Sequence, residues 1–226
     1  MRAHLTALSA CLLVIALPAA WANGGGAMSM PSPMPRVDTP QQKARDAYND
    51  GVRQVKKADK AQAAAAEATD AGKKDKAASE AHDAYAAALA KFREATELDP
   101  TLYEAWNYVG YTSRKLGNYD DALPAYDKAL SLKPGFPDAL EYRGEAYLGL
   151  NRIPDAQQAY LDLYAGNRAL AAKLLTAMKS WVTAQRSNSS ASGTDLSQFD
   201  KWIQERSQIA GQTAALTREG SAASWR

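Results

Sequence analysis

The sequence repeats itself with a period of 34 residues, and this recurrence limits the possible folds more than any other feature. An alanine, an aromatic residue, a glycine and a proline recur at that interval: Ala88, Ala122 and Ala156; Phe92, Tyr126 and Tyr160; Gly110 and Gly144; Pro100 and Pro134. A recurrence of this length is typical of a solenoid, in which each unit buries its apolar face only against its neighbours. We therefore expect a stack of similar units.

The composition indicates that these units are helical and that their surface carries no strong charge. Alanine is abundant and β-branched residues are scattered, which favours helix. The chain has 27 Lys and Arg against 25 Asp and Glu. Such a balance gives no basic face, so nucleic acid and anionic membranes are not expected partners.

The repeat resembles the tetratricopeptide repeat, a family of antiparallel helix pairs. Its best copy is 103–136, with Trp106, Gly110, Ala122, Tyr126 and Pro134 in the family's positions. It departs from the family pattern at Ser113 and Pro124. A second copy covers 137–167; it departs from the pattern at Arg143 and, directly after it, at Arg168, where the family has its terminal proline. The resemblance implies an all-α, tetratricopeptide-type α-solenoid in which the small residues lie where helices cross closely.

The first copy, 41–102, contains an insert. Gly51 and Ala88 are separated by 25 residues more than Gly110 and Ala122. The insert, roughly 57–81, combines alanine with alternating charges, which favours helix. We expect both helices of this pair to be prolonged, with a turn near Gly72, into an elongated hairpin. The alternative is a charged loop.

Two further helices are predicted after the repeats. Residues 168–186 place apolar side chains on one stripe, as a helix that caps the end of a solenoid requires. A linker at 187–194 precedes a second helix at 195–211, and 212–226 is predicted to be disordered. The second helix is expected either to pack on the capping helix or to fold back across the repeats.

Residues 1–22 have the three parts of a secretory signal peptide: a basic start, an uncharged apolar run and the small-x-small ending Ala20-Trp21-Ala22. The apolar run is shorter than the roughly 20 residues that span a membrane. Cleavage after Ala22 would give a periplasmic or secreted chain, without membrane insertion. Cys11 resembles a lipidation site, but the apolar run continues beyond it, and its removal leaves no cysteine.

A leader at 23–40 follows, rich in Gly, Pro and Met, and is expected to be flexible. Its Met28, Met30 and Met34 offer soft thioether ligands of the kind that bind Cu(I). This supports an alternative function, a copper or stress accessory protein. Without a nearby His or Cys, we predict no metal site or cofactor.

The favoured function is a non-catalytic scaffold or adaptor for an unknown protein or peptide. After cleavage the single histidine is His82, and no glycine-rich phosphate loop or catalytic triad is evident. The family pattern places these residues in the concave groove where partners bind: Tyr48, Asn49, Asn107, Tyr111, Arg114, Glu141 and Glu145. The family's carboxylate clamp of Lys, Asn and Arg is incomplete, because Glu141 and Glu145 intervene. That acidic pair favours a partner with some positive charge.

Overall fold

The computed structural model describes residues 39–187 and 196–222, with side chains described as far as residue 215. This part of the chain is α-helical and contains no strand. Its eight helices are α1 (Pro40–Glu67), α2 (Ala71–Leu98), α3 (Tyr103–Lys115), α4 (Tyr119–Leu132), α5 (Pro137–Gly149), α6 (Ile153–Gly166), α7 (Arg168–Ser187) and α8 (Ser197–Ala222). The predicted signal peptide, residues 23–38 of the predicted leader with Met28, Met30 and Met34, and residues 188–194 of the predicted linker lie outside the described residues.

The helices pack as consecutive pairs, which confirms the predicted all-α solenoid. Each of α1, α3 and α5 packs against the helix that follows it, and each pair packs on the next through α2 with α3 and α4 with α5. The first helices of successive pairs are also neighbours, α3 with α5 and α5 with α7. The stack therefore presents one face built from first helices.

Glycines allow the helices of a pair to approach closely. A Cβ atom on Gly51 would lie 2.7 Å from the ring of Phe92, and one on Gly110 would lie 2.6 Å from the ring of Tyr126. Both rings are fully buried. At Gly144 the nearest atom belongs instead to Leu174 of α7, at 2.6 Å. The capping helix thus occupies the space at the last pair that an aromatic ring fills in the earlier pairs.

The insert prolongs both helices of the first pair, so α1 and α2 have 28 residues each. We call residues 57–81 the spur. Its helices separate at 68–70, slightly before the expected break at Gly72, because Asp70 caps α2. The Asp70 carboxylate accepts a hydrogen bond from the Lys73 N–H at 2.9 Å, as an N-cap residue does. Gly72 consequently lies inside the first turn of α2.

The last two helices cover the end of the stack. α7 packs on both α5 and α6, and α8 adds Phe199 and Ile203 to the same buried cluster. The Trp202 ring lies 5.3 Å from that of Tyr160, and the Phe199 ring lies 6.1 Å from that of Trp181. Of the two expected placements, α8 adopts the one on the capping helix.

The predicted end of the last helix at 211 was wrong. α8 begins at Ser197 and continues through Gly211 to Ala222, into the segment 212–226 that was expected to be disordered. Gly211 has helical backbone geometry and does not end the helix. Beyond it, the Thr213 hydroxyl lies 3.2 Å from the Tyr164 hydroxyl of α6, so this part of α8 has a tertiary contact.

Candidate functional site

Half-buried tyrosines form a continuous row across the face built from first helices, which we call the first-helix face. Ring centroids are 5.7 Å apart between Tyr48 and Tyr108, 5.9 Å between Tyr108 and Tyr111, and 5.0 Å between Tyr111 and Tyr142. The rings meet edge-on or tilted, the arrangement that aromatic quadrupoles prefer. The tyrosine row therefore links α1, α3 and α5.

The repeat period explains how the tyrosine row arises. Tyr108 and Tyr142 are 34 residues apart and occupy the same position in successive first helices. Tyr111 lies one helical turn after Tyr108, on the same side of α3. Below the row, the Tyr108 ring stacks on the buried Phe92 ring at 4.7 Å. The row is thus an exposed edge of the core.

The hydroxyls of the row are neutral hydrogen-bonding groups at physiological pH. Burial raises the pKa of Tyr48 to about 12. It also raises the pKa of Tyr111 and of Tyr142. A half-buried tyrosine can keep its hydroxyl in water. The same ring can also bury apolar area against another molecule.

A charged pair borders the row between α3 and α5. Arg114 and Glu145 form an ion pair whose side chains are only 14% and 21% exposed. The Arg114 guanidinium also lies 5.5 Å from the Tyr111 ring centroid and 5.6 Å from that of Tyr142. Because Arg114 neutralises Glu145, this glutamate presents no free negative charge to a partner.

Two of the predicted groove residues are buried, which corrects the expectation that they are open to a partner. Glu141 is 0% exposed and Asn107 is 3% exposed. They occupy equivalent positions 34 residues apart, on the side of a first helix that faces the interior of the stack. Glu141 accepts a hydrogen bond from the Lys173 ammonium of α7 at 3.1 Å. Neither residue can contact a partner without rearrangement.

The other predicted residues have different surroundings. Tyr48, Tyr111, Arg114 and Glu145 are brought together on the first-helix face. The Asn49 side chain is exposed beside Tyr48 and forms no hydrogen bond within the part of the chain that the structure describes. Tyr111 was expected to be open surface, yet its ring contacts three other tyrosine rings.

Five side chains at this face were missed by the sequence reasoning: Tyr85, Tyr108, Lys115, Tyr142 and Lys173. The 34-residue spacing of Tyr108 and Tyr142 was a signal that could have identified those two. No local pattern predicts the role of Lys115, because the residue that accepts its hydrogen bond, Gln62, comes from the insert. The Lys115 ammonium donates a hydrogen bond to the Gln62 side chain of the spur and lies 5.2 Å from the Tyr85 ring centroid.

Where the spur meets α3, two tyrosine hydroxyls share one carboxylate. The Tyr85 hydroxyl donates to Asp59 Oδ1 at 2.5 Å, and the Tyr111 hydroxyl donates to the same oxygen at 3.0 Å. Tyr85 is 2% exposed, whereas Tyr111 is half-buried. The contact joins the spur to the tyrosine row through Asp59.

The described residues contain neither a clustered metal site nor a membrane-spanning helix. No group of three or more His, Cys, Asp or Glu side chains is placed there to share a metal ion. None of the described helices combines the length and apolar character that crossing a bilayer requires. His82 has a largely exposed side chain, 3.7 Å from the Asp83 carboxylate.

Comparison with protein families identifies one repeat directly. The tetratricopeptide repeat family matches residues 103–136, which hold α3, α4 and the turns that follow each of them. The helix pairs on either side of this segment stack on it in the same order. Residues 103–136 are thus a tetratricopeptide repeat, and the stacked helix pairs around them fit a protein of that family.

Proposed function

We propose that this protein is an exported adaptor or scaffold that holds another protein or a peptide on its first-helix face. Tetratricopeptide repeats are typical of protein-interaction scaffolds. The observation that carries the proposal is the tyrosine row, in which four half-exposed rings cross three helix pairs. Tyrosine is enriched in protein interfaces because a ring with two rotatable bonds buries much area at a small entropic cost.

The tyrosine row is also rigid, which favours binding. Tyr108 rests on Phe92, and the hydroxyl of Tyr111 is held by Asp59. Side chains that are already ordered lose little freedom when a partner docks, so more of the contact energy remains as affinity. This supports recognition by the rings.

The charges argue against the earlier expectation of a positively charged partner. Glu141 is buried against Lys173, and Glu145 is paired with Arg114. Neither side chain is therefore available to pair with a cation of the partner. Recognition by the tyrosine row needs apolar and hydrogen-bonding groups on the partner, and no excess of positive charge.

A non-catalytic role is part of the proposal. It is supported by the fold and by the first-helix face, which presents tyrosines and ion pairs. A catalytic site would instead place an acid, a base or a nucleophile in a closed cleft. Export is also part of the proposal and rests on the signal-peptide pattern of residues 1–22. An exported chain would meet its partner outside the cytoplasm.

Affinity capture with matched variants tests the proposal. The immobilised full-length chain is incubated with an envelope extract of its own cells, alongside Tyr142→Leu and Leu161→Ala. Leu161 of α6 is 42% exposed and lies outside the tyrosine row. Loss of a central interface ring typically costs a factor of about ten or more in affinity. We expect Tyr142→Leu to lose the captured protein and Leu161→Ala to keep it; equal recovery by both would contradict the proposal.

A further inference from the structure

We infer that the first-helix face continues onto the spur and contains there, around Lys115, a subsite for an acidic side chain of the bound peptide. The inference rests on the proposed function, because it assumes a peptide on the tyrosine row. It adds a chemical requirement that the row does not impose, namely an Asp or Glu at one position.

Lys115 is a half-buried cation without an acidic partner. Its ammonium lies 5.2 Å from the Tyr85 ring centroid and 5.8 Å from that of Tyr111, and it donates a hydrogen bond to the Gln62 carbonyl. In the described chain, no Asp or Glu oxygen lies within 4.0 Å of the Lys115 ammonium, the distance that defines an ion pair. Burial, and then the nearby Arg114, lower the pKa of Lys115, against the smaller opposing effects of Asp59 and Glu145. Its positive charge is therefore held at some cost.

The carboxylates closest to this region are already engaged. Asp59 accepts hydrogen bonds from the hydroxyls of Tyr85 and Tyr111. Glu145 is paired with Arg114, and Glu141 with Lys173. Lys115 is therefore a half-buried cation of this surface with no carboxylate at ion-pair distance, and Asp59 and Glu145 act on it only from farther away. A ligand carboxylate beside it would form a direct ion pair in a site that is already partly desolvated, where a charge-assisted hydrogen bond is strong.

A cleft beside Lys115 provides room for such a group. Its volume is about 230 Å³, and it is lined by Gln62, Ala65, Ala78, His82 and Tyr85 among others. The alanines of the spur form low walls, which allow a peptide backbone to come close. These walls belong to both spur helices, so the cleft lies between them and the end of α3.

The position of the cleft favours a side chain over a chain terminus. Tyr111 belongs to the tyrosine row and also contacts Lys115, so a peptide that leaves the row reaches the ammonium directly. Beyond Lys115 the cleft continues along the spur towards Ala65 and Ala78. A peptide can therefore remain in contact on both sides of Lys115, as an internal Asp or Glu requires.

A peptide array provides the test. Immobilised nonapeptides with N-acetylated and C-amidated ends are prepared in pairs, each pair differing only by Asp against Asn or Glu against Gln. A second set carries no acidic side chain and a free C-terminal carboxylate. The full-length chain is compared with Lys115→Met, which keeps the aliphatic stem on the tyrosine rings. Lys115→Gln serves as a second neutral variant in case Met disturbs folding.

Lys133→Met is the matched control. Lys133 also lies over a tyrosine ring, that of Tyr103, but at the C-terminal cap of α4 and outside the tyrosine row. We expect the parent and Lys133→Met to prefer the acidic member of a pair by about fivefold, a typical gain for one partly screened charge pair. The neutral variants at Lys115 should bind both members equally.

The failures of the two proposals are distinguishable. If the parent binds no peptide, the subsite is wrong, and the proposed function fails as well only if the capture experiment gives equal recovery by Tyr142→Leu and Leu161→Ala. If it binds peptides without an acidic preference, or if the neutral variants at Lys115 keep that preference, only the subsite is wrong. If the preference is confined to free C-terminal carboxylates, the assignment to an acidic side chain is overturned.

Discussion

The Lys173 ammonium of α7 lies 3.1 Å from a carboxylate oxygen of Glu141, a side chain of α5 with no solvent exposure. The second oxygen of this carboxylate has no hydrogen-bond partner among the described residues. Burial raises the pKa of Glu141, and its neighbour Glu145 raises it further, against the opposing effect of Lys173. The junction between the last repeat and the capping helix therefore contains a carboxyl group that resists ionisation.

This relationship predicts that the protein loses stability as pH rises and that Glu141→Gln reduces the loss. The folded state holds a proton on Glu141 at pH values where the unfolded chain, with an ordinary pKa of 4.5, has released it. Stability is then fully present below that value and falls as pH rises through the raised folded pKa. Each unit of pKa shift corresponds to about 1.4 kcal/mol.

Urea denaturation between pH 4 and pH 9 provides the measurement. Glu141→Gln should unfold at higher urea than the parent at pH 9 and show a smaller decline with pH. Glu94→Gln, at an exposed glutamate that pairs with Lys91, is the control and should decline as the parent does. Parallel pH profiles for the parent and Glu141→Gln would contradict the prediction.

The close approach of α3 and α4 predicts a marked effect of one methyl group at Gly110. Its Cβ atom would lie 2.6 to 2.8 Å from three atoms of the buried Tyr126 ring, and a ring cannot bend away. Overpacking costs about 1–3 kcal/mol, which exceeds the gain of about 1 kcal/mol that Ala has over Gly in a helix. Thermal melting should show Gly110→Ala less stable than the parent. Gly166→Ala, where no atom lies within 4 Å, should melt at or above the parent temperature.

The helix cap at Asp70 predicts a local effect at the tip of the spur. Asp70→Ala removes the acceptor for the Lys73 N–H, and the loss of an N-cap costs about 1 kcal/mol. Hydrogen exchange followed by mass spectrometry should be faster in the first turns of α2 and unchanged in α3 to α6. Asp75→Ala removes the same charge without the cap and should leave exchange near the parent rate. Equal exchange in both variants would mean that Asp70 does not order the spur.

The sequence alone predicted the stack but not the details of its exposed face. The recurrence of a glycine and an aromatic ring, as in Gly110 and Tyr126, reflects a steric need inside the first two helix pairs, so a period of 34 was sufficient to infer it. The burial of Glu141 depends on α7, a helix outside the repeat pattern. Contacts between different units, such as that of Lys115 with Gln62, leave no periodic trace.

The C-terminal end of α8 could not be predicted from the sequence either. Gly211 suggested an end because glycine weakens helices by about 1 kcal/mol. In the structure the helix continues, and Thr213 of α8 meets Tyr164 of α6. Local propensity was outweighed by a tertiary contact that the sequence does not reveal.

Export predicts a shortened N-terminus. If residues 1–22 are a signal peptide, the chain recovered from the periplasm or medium should begin at Asn23, and intact-mass measurement would show this directly. Replacing Ala20 and Ala22 by bulky residues should block cleavage, because the peptidase requires small residues there. A mature chain that retains residues 1–22, or one that carries lipid on Cys11, would contradict the prediction.

The central claim is that a partner docks on the first-helix face, and photo-crosslinking from within that face tests it most directly. The photoreactive amino acid p-benzoylphenylalanine is placed at Tyr142 or, in a separate chain, at Leu161, and each protein is irradiated in its own cells. Both positions have exposed side-chain surface, but only Tyr142 belongs to the tyrosine row. The account predicts a discrete adduct from position 142 and none from position 161. An adduct from position 161 with none from position 142 would contradict it.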